Sequence, residues 1–173
     1  MPEIMPAAPM KYDKDGNPEW NNMWNKFCGL ALEGGPAHRS TDDKIIFPNQ
    51  IDDHDAYQKN ANELVRGLKL LKAKNISVKD NGEIYINLKF KNKARWFAMA
   101  INTENVAAKS LDKYLILPCS DKFITEKEIK SVLTVWGKAN HYFKVHRNWA
   151  MKLVILFTAF DVVTSIKVDN YEN

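Results

Sequence analysis

Two short stretches of this 173-residue chain gather side chains that can do chemistry. One is Gly34-Gly35-Pro36-Ala37-His38-Arg39-Ser40-Thr41-Asp42-Asp43, and the other runs from His141 and Tyr142 to His146 and Arg147. Each holds a His-Arg pair beside an apolar segment. The planar fork of arginine suits a carboxylate or phosphate, and histidine is the side chain most readily tuned for proton transfer near neutral pH. If the two segments meet, they make a pocket for an anionic small molecule. Arg39 and Arg147 would neutralise its charge, Ser40, Thr41, His141 and Tyr142 would hold it, and His38 and His146 are the candidate catalytic groups. A structural account competes. His38 and Arg39 could tie down a long loop through backbone carbonyls, and a cationic His141 or His146 suits the negative end of a helix.

Other site chemistries find little support. Gly34-Gly35 is neither a dinucleotide fingerprint nor a phosphate-binding loop, and both of those follow a strand rather than a helix. No Gly-x-Ser-x-Gly elbow, His-Glu-x-x-His or Cys-x-x-Cys occurs. His141 and His146 are spaced wrongly for one helix face and would point to opposite faces of a strand. Asp52-Asp53-His54-Asp55 reads as acids in a first helical turn, favoured by the dipole, so no metal site is expected. Cys28 and Cys119 are too few for a disulfide framework, and Cys28 lies in an apolar helical pattern that implies a buried thiol.

The leading expectation is a small-molecule-binding domain for an anionic carboxylate or phosphate ligand. Whether catalysis follows, and with which cofactor, the sequence leaves open. The rival is a non-catalytic, homo-oligomeric interaction protein, most simply a homodimer. Five Trp, eight Phe and six Tyr are more aromatic surface than a small core needs, and aromatics favour interfaces. Weak binding of single-stranded nucleic acid ranks third. Tyr142 to Trp149 interleaves aromatic and basic residues, as a stacking platform does, but core packing explains the run better. A net charge of +4, from 25 basic and 21 acidic residues, is short of a committed nucleic-acid binder. The first 20 residues lack an apolar signal region, and Leu153 to Phe160 is far too short to span a bilayer. The expectation is a soluble cytoplasmic protein without a membrane partner.

The elements that must position these residues read as one α+β domain. Residues 1–16 form an irregular arm, 17–168 the globular domain, and 169–173 a loose polar tail. Four to five helices pack on a small sheet that contains an antiparallel hairpin at about 75–90. Asn17 as N-cap with Pro18 and Glu19 opens a first helix, whose apolar face carries Trp20, Trp24, Phe27, Cys28 and Ala31, widened by Met23 and Leu30. Gly34-Gly35-Pro36 ends it. Ile45-Ile46-Phe47-Pro48 is a short apolar anchor. A second helix spans about 52–74 and buries Tyr57, Ala61, Leu64, Val65, Leu68 and Leu71.

Ile76 and Val78, then Ile84, Ile86, Leu88 and Phe90, alternate around Asp80-Asn81-Gly82, whose Asn-Gly pair suits a tight primed turn. Lys89, Lys91, Lys93 and Arg95 lead into a third helix over about 92–109, read as a solvated turn before an anion site. That helix carries one stripe of Trp96, Met99, Ala100 and Thr103 and a second of Phe97 and Ile101, which makes it central. Tyr114–Pro118 is a buried strand, and Thr125-x-x-Glu128 a capping box opening a helix over about 126–139. A further helix over 151–163 and a strand near 165–168 complete the expectation.

Overall fold

The computed structural model describes residues 9–32 and 44–145. Within them lie α1 (Trp20–Leu32), α2 (His54–Leu70), β1 (Ile76–Lys79), β2 (Glu83–Asn87) and α3 (Lys91–Asn102). β3 (Lys109–Leu111), β4 (Tyr114–Pro118), a π-helical turn (Thr125–Ile129) and α4 (Lys130–Val145) follow. The architecture is α+β, with four helices and an antiparallel sheet of order β1-β2-β4-β3. The expected helix at 151–163, the strand near 165–168 and the Gly34-Gly35-Pro36 stop all lie outside the described residues.

The hairpin forms where alternation places it, in the register Ile76↔Ile86, Val78↔Ile84 and Lys79↔Glu83. Its turn differs from the expected primed pair. Lys79↔Glu83 encloses three residues, and of these Gly82 takes the positive φ, +82°. That is the three-residue loop with glycine in the left-handed position. Glycine is needed there twice over. A Cβ on Gly82 would sit 2.3 Å from Pro48 Cγ and 2.8 Å from the Cys119 carbonyl oxygen. Ile84 and Ile86 are fully buried, but Phe90 is 69% exposed, because it has left the strand to become the N-cap of α3.

The core lies between the inner sheet face and the helices. Trp20, Tyr57, Phe97 and Trp136 are its largest buried side chains, so much of the aromatic content goes inward. On α2 the helical stripe buries Tyr57, Ala61, Leu64 and Leu68 as expected. α1 buries Trp20, Met23 and Phe27, while Leu30 faces outward. Gly67 on α2 is where three helices converge: a Cβ there would lie 2.3 Å from Leu133 and 3.1 Å from Trp20. α1 and α4 pack against each other. Met23 meets Thr134, and the Trp24 ring lies against Gly137 and, 6.4 Å between centroids, His141.

Helix ends depart from the sequence reading for local reasons. Asn17 does not cap α1; its side chain and N–H bond the Asp13 carboxylate in the preceding turn. Asp53 caps α2, its carboxylate accepting the Ala56 N–H at 3.0 Å. α3 stops at Asn102 instead of continuing to 109. The Asn102 amide donates to the Ala98 and Ala108 carbonyls, Asn105 takes a φ of 59°, and 109–111 become an edge strand. Its buried stripe is Ala94, Phe97, Ala98 and Ile101; Met99, at 68% exposure, shows that one side meets solvent. At residue 125 half of the capping box forms. Glu128 reaches back to the Ile124 N–H at 2.9 Å, Ile124 is the cap residue, and no side chain caps from Thr125. The first turn is then π-helical and α4 begins at Lys130.

Candidate functional site: a lysine-rimmed groove

Of the sequence-derived site residues, His38, Arg39, Ser40, Thr41, His146 and Arg147 lie outside the described residues. His141 and Tyr142 are on the last turns of α4, both exposed. Phe143, next to them, turns inward to Trp96 and Phe97, with ring centroids 5.3 and 5.4 Å away, and Lys93 sits 4.8 Å from its ring. Residues 142–144 follow helical turns, and the rest of the aromatic-basic run to Trp149 lies outside the described residues. Lys93, one of the four basic residues leading into α3, is engaged with Phe97 and Phe143.

The C-terminus of α4 presents partial negative charge, which suits Lys144 there. A further candidate lies at the other end of α4.

There, an open groove of about 380 Å³ runs between segment 44–49 and residues 120–128. Ile45, Ile46, Phe47, Pro48 and Phe123 supply apolar lining, and Lys44, Lys122, Lys127, Ser120 and Glu128 the polar lining. Residues 44–49 are pinned at one end by a parallel bridge: the Ile45 N–H donates to the Asn105 carbonyl, and the Ala107 N–H to that of Ile45. Pro48 on Gly82 fixes the other end.

The opposite wall hangs on a buried amide. Asn60, 8% exposed on α2, donates to the carbonyls of Ser120, Asp121 and Phe123 at 3.0, 3.2 and 2.9 Å. Asp121 returns the link by accepting the N–H groups of Asp52 and Asp53. Burial pushes its carboxyl up, but the Ser120 hydroxyl and those N–H groups outweigh it and hold it below the ordinary range. This wall is thus held by the Asn60 and Asp121 side chains bonding to backbone groups, and the lysine side chains are left at the rim.

The rim amines make exposed contacts. Lys122 Nζ lies 2.7 Å from Asp52 Oδ2, with side chains 72% and 47% exposed, and Lys127 Nζ lies 3.6 Å from Glu128 Oε1. The Lys122 hydrogen bond draws the Asp52 carboxyl below its ordinary value, and Asp52 in turn raises Lys122. An exposed pair such as Lys122 with Asp52 contributes little to stability, so a ligand anion can share or displace it. The lining holds three amines and one carboxylate, and Asp52 joins Lys122 from just outside it.

Sequence reasoning missed this groove. Its two walls come from stretches far apart in the chain, and neither Lys122 nor Lys127 belongs to a recognisable motif. Elsewhere, burial pushes the Cys119 thiol up to about 12, as befits an inert core thiol. Among the described residues no three His, Cys, Asp or Glu side chains group as metal ligands, and no helix is long and apolar enough to cross a membrane. Fold and groove together give an α+β chain with a lysine-rimmed surface cleft. No protein-family model matches the chain, and no curated protein is significantly similar to it.

Proposed function

We propose that the protein binds a small anionic ligand with an apolar body, a carboxylate or phosphate compound, in the groove between 44–49 and 120–128. The observation that carries this reading is the composition of that groove: three lysine amines at the rim of an apolar cleft large enough for a small molecule. The ligand's apolar part lies against Ile45, Phe47 and Phe123, and its charge meets Lys44, Lys122 and Lys127. Arg39, Ser40 and Thr41 precede Lys44 by at most five residues in the chain. In this reading Arg39 adds a bidentate contact, and His38 is the proton-transfer candidate if a reaction follows binding.

Phenyl phosphate and benzoate serve as probes. Titration into labelled protein, followed by backbone amide shifts, should perturb residues within 44–49 and 120–128, and Lys44→Ala with Lys127→Ala should weaken the effect about tenfold. Shifts confined to the 140–145 end of α4, or none at millimolar probe, overturn the groove. Native mass spectrometry of freshly purified protein then reports any co-purified small mass.

A further inference from the structure

The outer face of the sheet is a second surface, which meets the groove where Lys109 Nζ lies 4.0 Å from the Phe47 ring centre. Strand alternation sends Ser77 and Lys79, Glu83, Tyr85 and Asn87, Tyr114 and Ile116, and Lys109 and Leu111 to the side away from the core. Tyr85 and Tyr114 meet edge to face across β2 and β4, with centroids 5.9 Å apart. Both rings are half-buried, and Leu111, directly opposite Tyr114, is 60% exposed. Lys79 Nζ sits 5.8 Å from the Tyr85 ring centre, and Lys113 Nζ 5.8 Å from that of Tyr114.

Among the described strand residues of this face the carboxylate is Glu83, which is already engaged, while Asp80 and Asp112 stand in the turns next to Lys79 and Lys113. Glu83 accepts from Lys109 Nζ at 3.1 Å, Asn81 Nδ2 at 3.1 Å and the Tyr85 hydroxyl at 3.0 Å. The last bond orients the Tyr85 ring, and Lys109 cancels the charge. The amines of Lys79 and Lys113 are therefore left flanking an aromatic pair. That combination is complementary to a chain carrying both flat rings and negative charge.

We propose that this face binds single-stranded nucleic acid, with bases against Tyr85 and Tyr114 and phosphates at Lys79 and Lys113. The two rings stand at 65°, so they receive two splayed bases rather than a continuous stack. A second copy of the chain is the poorer fit. A two-fold contact through this face would bury the Lys79 and Lys113 amines against a partner face whose strand carboxylate, Glu83, already has its partners. An acidic peptide supplies the charge but not the flat rings.

Fluorescence anisotropy of a labelled 12-nucleotide oligo(dT) with the full chain tests this. Binding should appear at 50 mM salt and weaken as salt rises. Tyr114→Ala should cost about 5- to 100-fold in affinity, as loss of a base-stacking ring does, and Tyr114→Phe should keep it. Lys79→Ala with Lys113→Ala should flatten the salt slope by about 1.4, roughly 0.7 per lost phosphate contact. Circular dichroism melts check that each variant is folded, and Tyr114→Phe keeps the test sound if Tyr114→Ala is not. No binding at 50 mM salt, equal binding by a folded Tyr114→Ala, or binding of poly-glutamate in preference to the oligonucleotide overturns the proposal. Lys44→Ala with Lys127→Ala should leave oligonucleotide affinity unchanged, so the two readings fail separately.

Discussion

The groove and the outer sheet face both carry lysines beside apolar side chains, yet those lysines are held differently. At the groove, Lys122 and Lys127 reach out to carboxylates across exposed contacts, beside a wall built from backbone carbonyls and one buried amide. On the sheet, Lys79 and Lys113 lie beside tyrosine rings, and the Glu83 carboxylate is neutralised by Lys109. A concave wall of loops presents a charged rim around a volume; a pleated surface presents rings in rows with amines beside them. The same residue types thus suit a compact anion in one place and an extended one in the other.

The two regions share one joint, and breaking it should have the largest effect. Gly82 closes the hairpin that carries the sheet face and holds Pro48, which lines the groove. Gly82→Ala places a methyl group 2.8 Å from a backbone oxygen and asks alanine to adopt a φ of +82°. Strain and overpacking together should cost about 2–4 kcal/mol, read as a lower midpoint in urea. Binding at both surfaces should weaken together. A variant as stable as the parent would mean that Pro48 and the 118–120 backbone yield easily, and that the two surfaces are less coupled than the packing shows.

Asn60→Ala separates the surfaces. Three loop carbonyls lose their donor, and a buried amide anchor of this kind is worth about 2–3 kcal/mol. Residues 120–123 should loosen, seen as faster amide exchange there, and phenyl phosphate should no longer shift the groove. The β1-β2-β4 ladder does not pass through Asn60, so oligonucleotide affinity should hold at temperatures where the variant is folded. Loss of both would mean that the loop also supports the sheet. Lys44→Ala with Lys127→Ala is gentler still: about tenfold in probe affinity and within about 0.5 kcal/mol in stability, as for surface residues generally.

What the sequence disclosed follows this division between local and distant causes. The α2 stripe, the Asp53 end of that helix and the alternation of Ile84 and Ile86 were legible because each is set by neighbours within a few residues. The three-residue turn was not, because register chose it: Lys79 pairs with Glu83, and Gly82 rather than Asn81 took the left-handed position. α3 ended early because the Asn102 amide found the Ala108 carbonyl, a contact its apolar stripe does not encode. The groove was illegible for a stronger reason. It joins residues that meet only after Asn60 and Ile45 have been placed by α2 and by the Val106 bridge. The two His-Arg segments attracted notice through residue type alone, and of the candidates in them the described residues include His141 and Tyr142, which sit on helix turns whose dipole suits cations.

The smallest predicted effect compares the carboxylates of the two surfaces. Burial pushes the Glu83 carboxyl up, but hydrogen bonds from Lys109, Asn81 and Tyr85 outweigh it and hold it below its ordinary value. A group depressed on folding contributes stability above its unfolded value, near pH 4.3, and loses it as pH falls through the folded value. Glu83→Gln should therefore cost about 1 kcal/mol at neutral pH, and the gap from the parent should close as the medium is acidified below about pH 4. Asp52, drawn down chiefly by the hydrogen bond from exposed Lys122, obeys the same sign but is open to solvent. Asp52→Asn should thus give a much shallower pH-dependent difference, and salt should erase it first. Parallel urea titrations at pH 3, 5 and 7 read both. If Asp52→Asn gave the larger and less salt-sensitive difference, the groove rim would be the more rigidly held of the two surfaces, and a ligand entering it would have to break a pair that stabilises the fold.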